Sequence, residues 1–179
     1  MSANVILPVA VFAGMGGLVL YALWRIVVVG GEARREAQAM RVASDVAHRA
    51  DACISVMAAE LDRLRHGRVA PAASAGCVAS GLSQLRSLAD EGRSSATQSR
   101  SPAVANLAED LDRALRSLEL IESGRQQLAS APGQPGDGEQ SVKRGYLNLL
   151  HARDSIRRRG AEVGASIAPA PALRAAPRR

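Results

Sequence analysis

The chain has 179 residues and a net charge of +6; 47% of it is hydrophobic and only 2% aromatic. That length corresponds to about one domain. With Tyr146 the only aromatic beyond the first thirty or so residues, a β-sandwich core is excluded and a core of Leu, Ile, Val, Met and Ala on packed helices is expected.

The first element is apolar. Val5 to Trp24 contains no charged residue, and about 20 such residues suffice to cross a bilayer as a helix. Pro8 falls in its first turns, where a missing N–H matters least. Tyr21 and Trp24 are placed like an interfacial aromatic belt, and Arg25 can extend to the headgroups. A cleaved signal peptide fits poorly, because there is no basic n-region and no Ala-x-Ala-like end to the run. No cysteine near the N-terminus offers a lipidation site. Arg25, Arg34, Arg35 and Arg41 all follow the run and none precedes it, so the positive-inside rule places the N-terminus outside and the C-terminal domain in the cytoplasm. Arginine supplies nearly all the positive charge, Lys143 being the sole lysine. With the Ala and Gly content, this suggests a GC-rich bacterial genome and hence the bacterial inner membrane. Ala10, Ala13, Gly14 and Gly17 form a small face at helical spacing, suited to close packing against a second membrane helix. The plainer explanation is that Ala and Gly are common in membrane helices.

Gly30-Gly31 is expected to break this segment. A helix then reads from about Glu32 to His66. Met40, Ala47, Ile54 and Leu61 alternate with Ala43, Ala50, Met57 and Leu64 in a heptad seam. Ala39, Val46 and Cys53 widen the stripe beyond that of a two-stranded coil. Gly67 and Pro71 end the helix. A second reads from about Ala73 to Ala96 on Val78, Leu82, Leu85, Leu88 and Ala89. Ser101-Pro102 reads as the N-cap and first position of a third, running to about Ala129 on Val104, Leu107, Leu111, Leu115, Leu118, Ile121 and Leu128. Glu109, Asp110 and Asp112 lie toward its start, where the helix dipole favours acids. After the Gly/Pro loop from Pro132 to Gly138, a fourth reads from about Glu139 to Ile167 on Val142, Tyr146, Leu149, Ile156, Val163 and Ile167. The last residues are Ala/Pro/Arg-rich and read as a disordered basic tail.

The expected architecture is all-α, with residues 1–31 a transmembrane anchor, 32–168 an antiparallel four-helix bundle and 169–179 the tail. No helix is stable alone, and each needs its apolar face covered. The alternative is an elongated coiled coil that pairs between chains.

Chemistry-bearing motifs are few. Cys53 and Cys77 show no zinc spacing and read as small buried thiols, bridged only in an oxidising compartment. His48 stands between Asp45 and Asp51 on one helix row, but a di-metal bundle needs Glu-x-x-His on two helices, and no second such pair exists, so no metal or other cofactor is expected. Gly-x-Ser-x-Gly and the phosphate loop are absent, and an enzyme is not expected. Residues 139–179 carry nine Lys and Arg against three acids, which equals the whole net charge. Within them Arg157, Arg158 and Arg159 ring the helix and do not form one patch. A solvated helix end is the plain reading; contact with anionic lipid or an acidic protein is the functional one. Nucleic acid fits less well, since no stacking platform or recognition motif accompanies the charge. Gly145 to Asp154, with Tyr146 and His151, has the most varied composition of the soluble region and is where a specific partner surface is sought first.

In outline this architecture is similar to two families. One is the LemA-like proteins, with an N-out membrane helix and a cytoplasmic helical bundle. The other is the b-type stator subunits of ATP synthases. The LemA-like Arg-Arg-x-Asp-Leu-Ile-Pro segment is absent, and Pro71, Pro102 and Pro132 interrupt the long helix of a stator subunit, so neither family is assigned. The expected function is that of a non-enzymatic membrane-anchored scaffold or interaction protein, contacting itself or another membrane protein through the membrane helix. The alternative is a sensory or signalling bundle that binds a small ligand between its helices.

Overall fold

A computed structural model describes residues 3–66, 71–130 and 137–167. Side chains are described from Val19 onward, except at 23, 26, 27, 29, 64, 65 and 71–74. The described chain is all-helical: α1 spans Ala3–Arg65, α2 Pro71–Gln98, α3 Pro102–Ser130 and α4 Asp137–Ile167. Two compact units divide at Ala37, one of residues 1–37 and the other of residues 38–179.

The boundaries follow from local chemistry. Pro71 and Pro102 each begin a helix, where the proline N–H is not needed and its φ is already helical. The Ser101 carbonyl accepts hydrogen bonds from the N–H groups of Val104 (3.1 Å) and Ala105 (3.3 Å), so Ser101 sits at the N-cap as expected. Gly30-Gly31 does not break α1, contrary to expectation. Both glycines are helical, and about 1 kcal/mol each against alanine is too little to stop a helix that continues on both sides.

In the C-terminal unit the helices pair in antiparallel order round a ring. Between α1 and α2, Arg49 meets Glu91 at 2.9 Å, and Met57, eight residues further along α1, lies over Gly81, ten residues back along α2. Between α2 and α3, Arg86 pairs with Glu119 and Arg93 with Asp112. Gly124 of α3 faces Gly138 of α4, and Gly145 lies against Ser117 and Ile121. Arg153 of α4 closes the ring on Asp51 of α1 at 2.8 Å, beside a close approach of Gly160 to Ala47. In all four pairs one index rises as the other falls. This is the bundle and not the elongated coil.

The core contains Ala43, Ala47, Ile54, Met57 and Leu61 from α1, Val78, Leu85 and Leu88 from α2, Leu107, Leu111, Leu118 and Ile121 from α3, and Leu149, Ile156 and Val163 from α4. The expected stripes are therefore buried or, at Met40, Leu82, Leu115, Val142, Tyr146 and Ile167, partly buried against the core; Leu64 lies outside the residues whose side chains are described, and Leu128 is a correction, being exposed. It lies against Gly138 at the first turn of α4, where the bundle ends and only one side of the leucine is covered. The closest seam is α3 on α4. A Cβ on Gly145 would lie 2.8 Å from the Ser117 carbonyl oxygen, and one on Gly124 would lie 2.7 Å from the Gly138 oxygen. Backbones approach there because side chains are missing, and dispersion contacts between main chains replace those of larger residues.

Candidate functional site

The α1–α2 seam is looser. Gly81 provides the room, and the Met57 side chain fills part of it, since a Cβ on Gly81 would collide with the Met57 thioether. Around this contact a groove of about 380 Å³ opens to solvent, lined among others by Arg49, Cys53, Val56, Met57, Cys77 and Gln84. The Arg49–Glu91 ion pair divides it from a further groove of about 280 Å³, lined by Ala39, Val42, Glu91, Ser94, Ser95 and Gln98. Arg49 is also held by Asp45 of its own helix at 3.6 Å.

Three sulfurs line the larger groove. Cys53 lies one turn before Met57 on α1, and Cys77 lies one turn before Gly81 on α2. Because the helices are antiparallel, the two cysteines are displaced from the Met57–Gly81 level in opposite directions. Both are free; Cys53 is buried and Cys77 half-buried. Burial pushes the Cys53 thiol above the ordinary thiol range, and the neighbouring Cys77 pushes it further the same way. The groove lining includes no carboxylate and no imidazole.

No protein-family model, curated protein or solved structure matches the chain.

The residues expected to mark a partner surface are scattered. Tyr146 packs partly buried against the core. His151, Arg157 and Arg158 are exposed, while Arg159 is half-buried and paired with Glu162 at 2.9 Å. Arg158 bends back to the Asp154 carbonyl and the Ser155 hydroxyl, both at 3.4 Å. These side chains do not converge on one site. The Asp45–His48–Asp51 row is taken up otherwise: Asp45 faces Arg49, Asp51 faces Arg153, and His48 is exposed. Among the described residues no group of three or more His, Cys, Asp or Glu is placed to hold a metal ion.

Among the described residues no helix is long and apolar enough to cross a membrane. Most of the uncharged run, with Ala10, Ala13, Gly14 and Gly17, lies outside the residues whose side chains are described. The part that is described exposes Val19, Leu20, Tyr21 and Trp24 by 55–69%. The rings of Tyr21 and Trp24 lie 6.1 Å apart.

Sequence reasoning missed the glycines at which helices meet, Gly81 at the candidate site and Gly138 and Gly145 in the α3–α4 seam. Gly81 carries no periodic signal of its own. Gly138 and Gly145 stand seven residues apart, with Ala152 seven further on, and that spacing was the available sign of a small-residue seam.

Proposed function

We propose that the protein is a membrane-anchored, non-enzymatic helical scaffold or interaction protein, held by its N-terminal helix with the bundle on the cytoplasmic side. The observation that carries the reading is the exposure of Val19, Leu20, Tyr21 and Trp24 at the end of an uncharged run that begins at Val5. Four large apolar side chains within six residues of one helix are costly in water and favourable at a bilayer interface. The arginines after the run favour the orientation. The bundle covers its own stripes within one chain, which suits a module that presents surfaces and does not need a partner to fold. Arg157 and Arg158 face solvent and suit an anionic lipid surface or an acidic protein, and the membrane helix suits packing against a second copy or another membrane protein.

Alkaline carbonate extraction of membranes tests the anchor. The full chain is expected in the pellet, and a chain lacking residues 1–31 in the supernatant. Full-length protein in the supernatant would overturn the reading. Topology is tested on the half-buried Cys77 with a membrane-impermeant maleimide, which is expected to label intact spheroplasts only after permeabilisation.

A further inference from the structure

The cations of the bundle are unevenly neutralised. Arg49 and Arg63 of α1, Arg86 and Arg93 of α2, and Arg113 and Arg125 of α3 each pair with a carboxylate. On α4, Arg153 and Arg159 are paired as well. Lys143, Arg144, Arg157 and Arg158 are exposed and form no ion pair among the described residues. Arg41 and Arg116 are also unpaired, but each stands on a helix whose other described bundle arginines are paired. Between residues 143 and 158 the one acid is Asp154, also exposed, so this length of α4 presents a surplus of positive charge. Arg144, Leu147, His151 and Arg158 are exposed and follow helical spacing, which sets them on one outward face. From Arg144 to Arg158 that stripe is about 21 Å long at helical rise. Leu147 is 50% exposed, with Lys143, Arg144 and His151 each three or four positions away, where helix side chains are neighbours.

We propose that this face of α4 docks an acidic amphipathic helix of a partner protein, whose carboxylates meet Lys143, Arg144 and Arg158 and whose apolar residue covers Leu147. An apolar centre inside a charged rim is the anatomy of a small protein interface, and arginine is enriched among the residues that hold one. Single exposed ion pairs contribute little, so the apolar contact and several pairs act together. A lipid surface fits less well. A helix that lies on a membrane buries a broad apolar face, and the apolar face of α4 is turned into the core, leaving Leu147 as its exposed large apolar side chain. Nucleic acid would need an aromatic platform, and Tyr146 is packed against the core. The inference rests on the reading of the chain as an interaction protein and not on the membrane anchor.

The test uses the full chain in a mild non-ionic detergent. The probe is a fluorescent, Ala-rich helical peptide with glutamates along one face and a leucine among them; its counterpart carries glutamine for glutamate. The acidic peptide is expected to bind, with affinity falling as salt is raised, and the glutamine peptide is not. Arg144→Gln with Arg158→Gln is expected to weaken binding at least about tenfold. Arg63→Gln with Arg86→Gln removes the same charge from α1 and α2 and should leave affinity within about twofold. Leu147→Ala is expected to weaken binding about fivefold without changing the salt dependence. All these side chains are exposed, and circular dichroism verifies that each variant is folded. Equal weakening by the two double variants would reduce the stripe to diffuse charge and overturn the proposal. So would failure of the acidic peptide to bind, or an unchanged affinity in Leu147→Ala. A photo-crosslinker at the exposed Asn148 separates the sources of negative charge in native membranes. Capture of a protein through a segment rich in Asp and Glu is expected, and capture of lipid or of a neutral or basic segment would overturn the assignment. Failure of carbonate extraction to retain the chain would remove the anchor and leave the peptide result standing.

Discussion

Cys53 and Cys77 have the same side chain and different surroundings, so their reactivities should separate. A thiol reacts as its thiolate, and both burial and the neighbouring Cys77 disfavour that form at Cys53. Cys77 is half-buried and open to the groove. In the native protein at neutral pH, iodoacetamide is expected to modify Cys77 at least about tenfold faster than Cys53, as read by mass spectrometry of timed samples. Equal rates would show that Cys53 is not buried in solution. The same shift gives a stability slope. The folded pKa of Cys53 lies above its unfolded value, so above the ordinary thiol pKa the unfolded chain loses its proton first. The contribution is fully present below that pKa and is lost as pH rises through the folded value. Denaturant unfolding should therefore show stability falling with alkaline pH, and Cys53→Ala should flatten that slope. The charged group beside Cys53 in the groove is Arg49, held by Asp45 and Glu91.

At the scale of single elements, sequence and structure agree where punctuation is chemical. Pro102 marks the start of α3 as expected, Pro71, expected to end the first helix, opens α2 itself, and the heptad columns of α1 from Ala43 to Leu61 fall on buried residues. Glycine was harder to read because it has two opposite uses in this chain. At Gly30 and Gly31 a Cβ would meet nothing within 4 Å, whereas at Gly145 it would meet the Ser117 oxygen and the Ile121 backbone. Gly30-Gly31 has the form of a break and is ordinary helix; Gly145 has the form of a spacer and is a contact. Composition cannot separate these, because the difference lies in the neighbouring helix. Substitution can. Gly145→Ala forces backbone apart at the α3–α4 seam and is expected to cost about 1–3 kcal/mol in urea unfolding of the bundle. Gly30→Ala with Gly31→Ala adds helix propensity without a clash, worth about 0.5–1 kcal/mol per site. It should slow amide exchange over residues 28–34. A destabilised helix there, or an unaffected bundle in Gly145→Ala, would contradict the geometry. Asp110 is a further case. Its place near the start of α3 suggested only a dipole contact, yet it is buried and bonded to Arg113 at 2.5 Å, because its position faces inward on the α3 register.

For the molecule as a whole, the fold was legible and the candidate site was not. Four apolar stripes of similar length imply mutual coverage, whereas a groove between α1 and α2 depends on one methionine meeting one glycine across the seam. The same self-coverage bears on self-association. Among its described residues the bundle buries most of its own stripes and leaves single large apolar side chains such as Val56 and Leu147 exposed. The small face made by Ala10, Ala13, Gly14 and Gly17 is different, because the sequence contains one uncharged run and so no other such helix to cover it. If the protein is anchored as proposed, that face packs against another polypeptide. Replacing Gly14 and Gly17 with Leu would hold the partner helix away and remove the close approach on which packing in lipid depends. Crosslinking in native membranes is expected to give dimeric or mixed species with the natural chain and to lose them with the double substitution. Met57→Ala and Leu61→Ala provide the contrast, since both side chains are buried in the bundle and serve the chain's own core. Crosslinks that survive the Gly14 and Gly17 changes but vanish with Met57 or Leu61 would place association in the bundle, through exchange of α1 between chains, and would refute packing through the membrane helix.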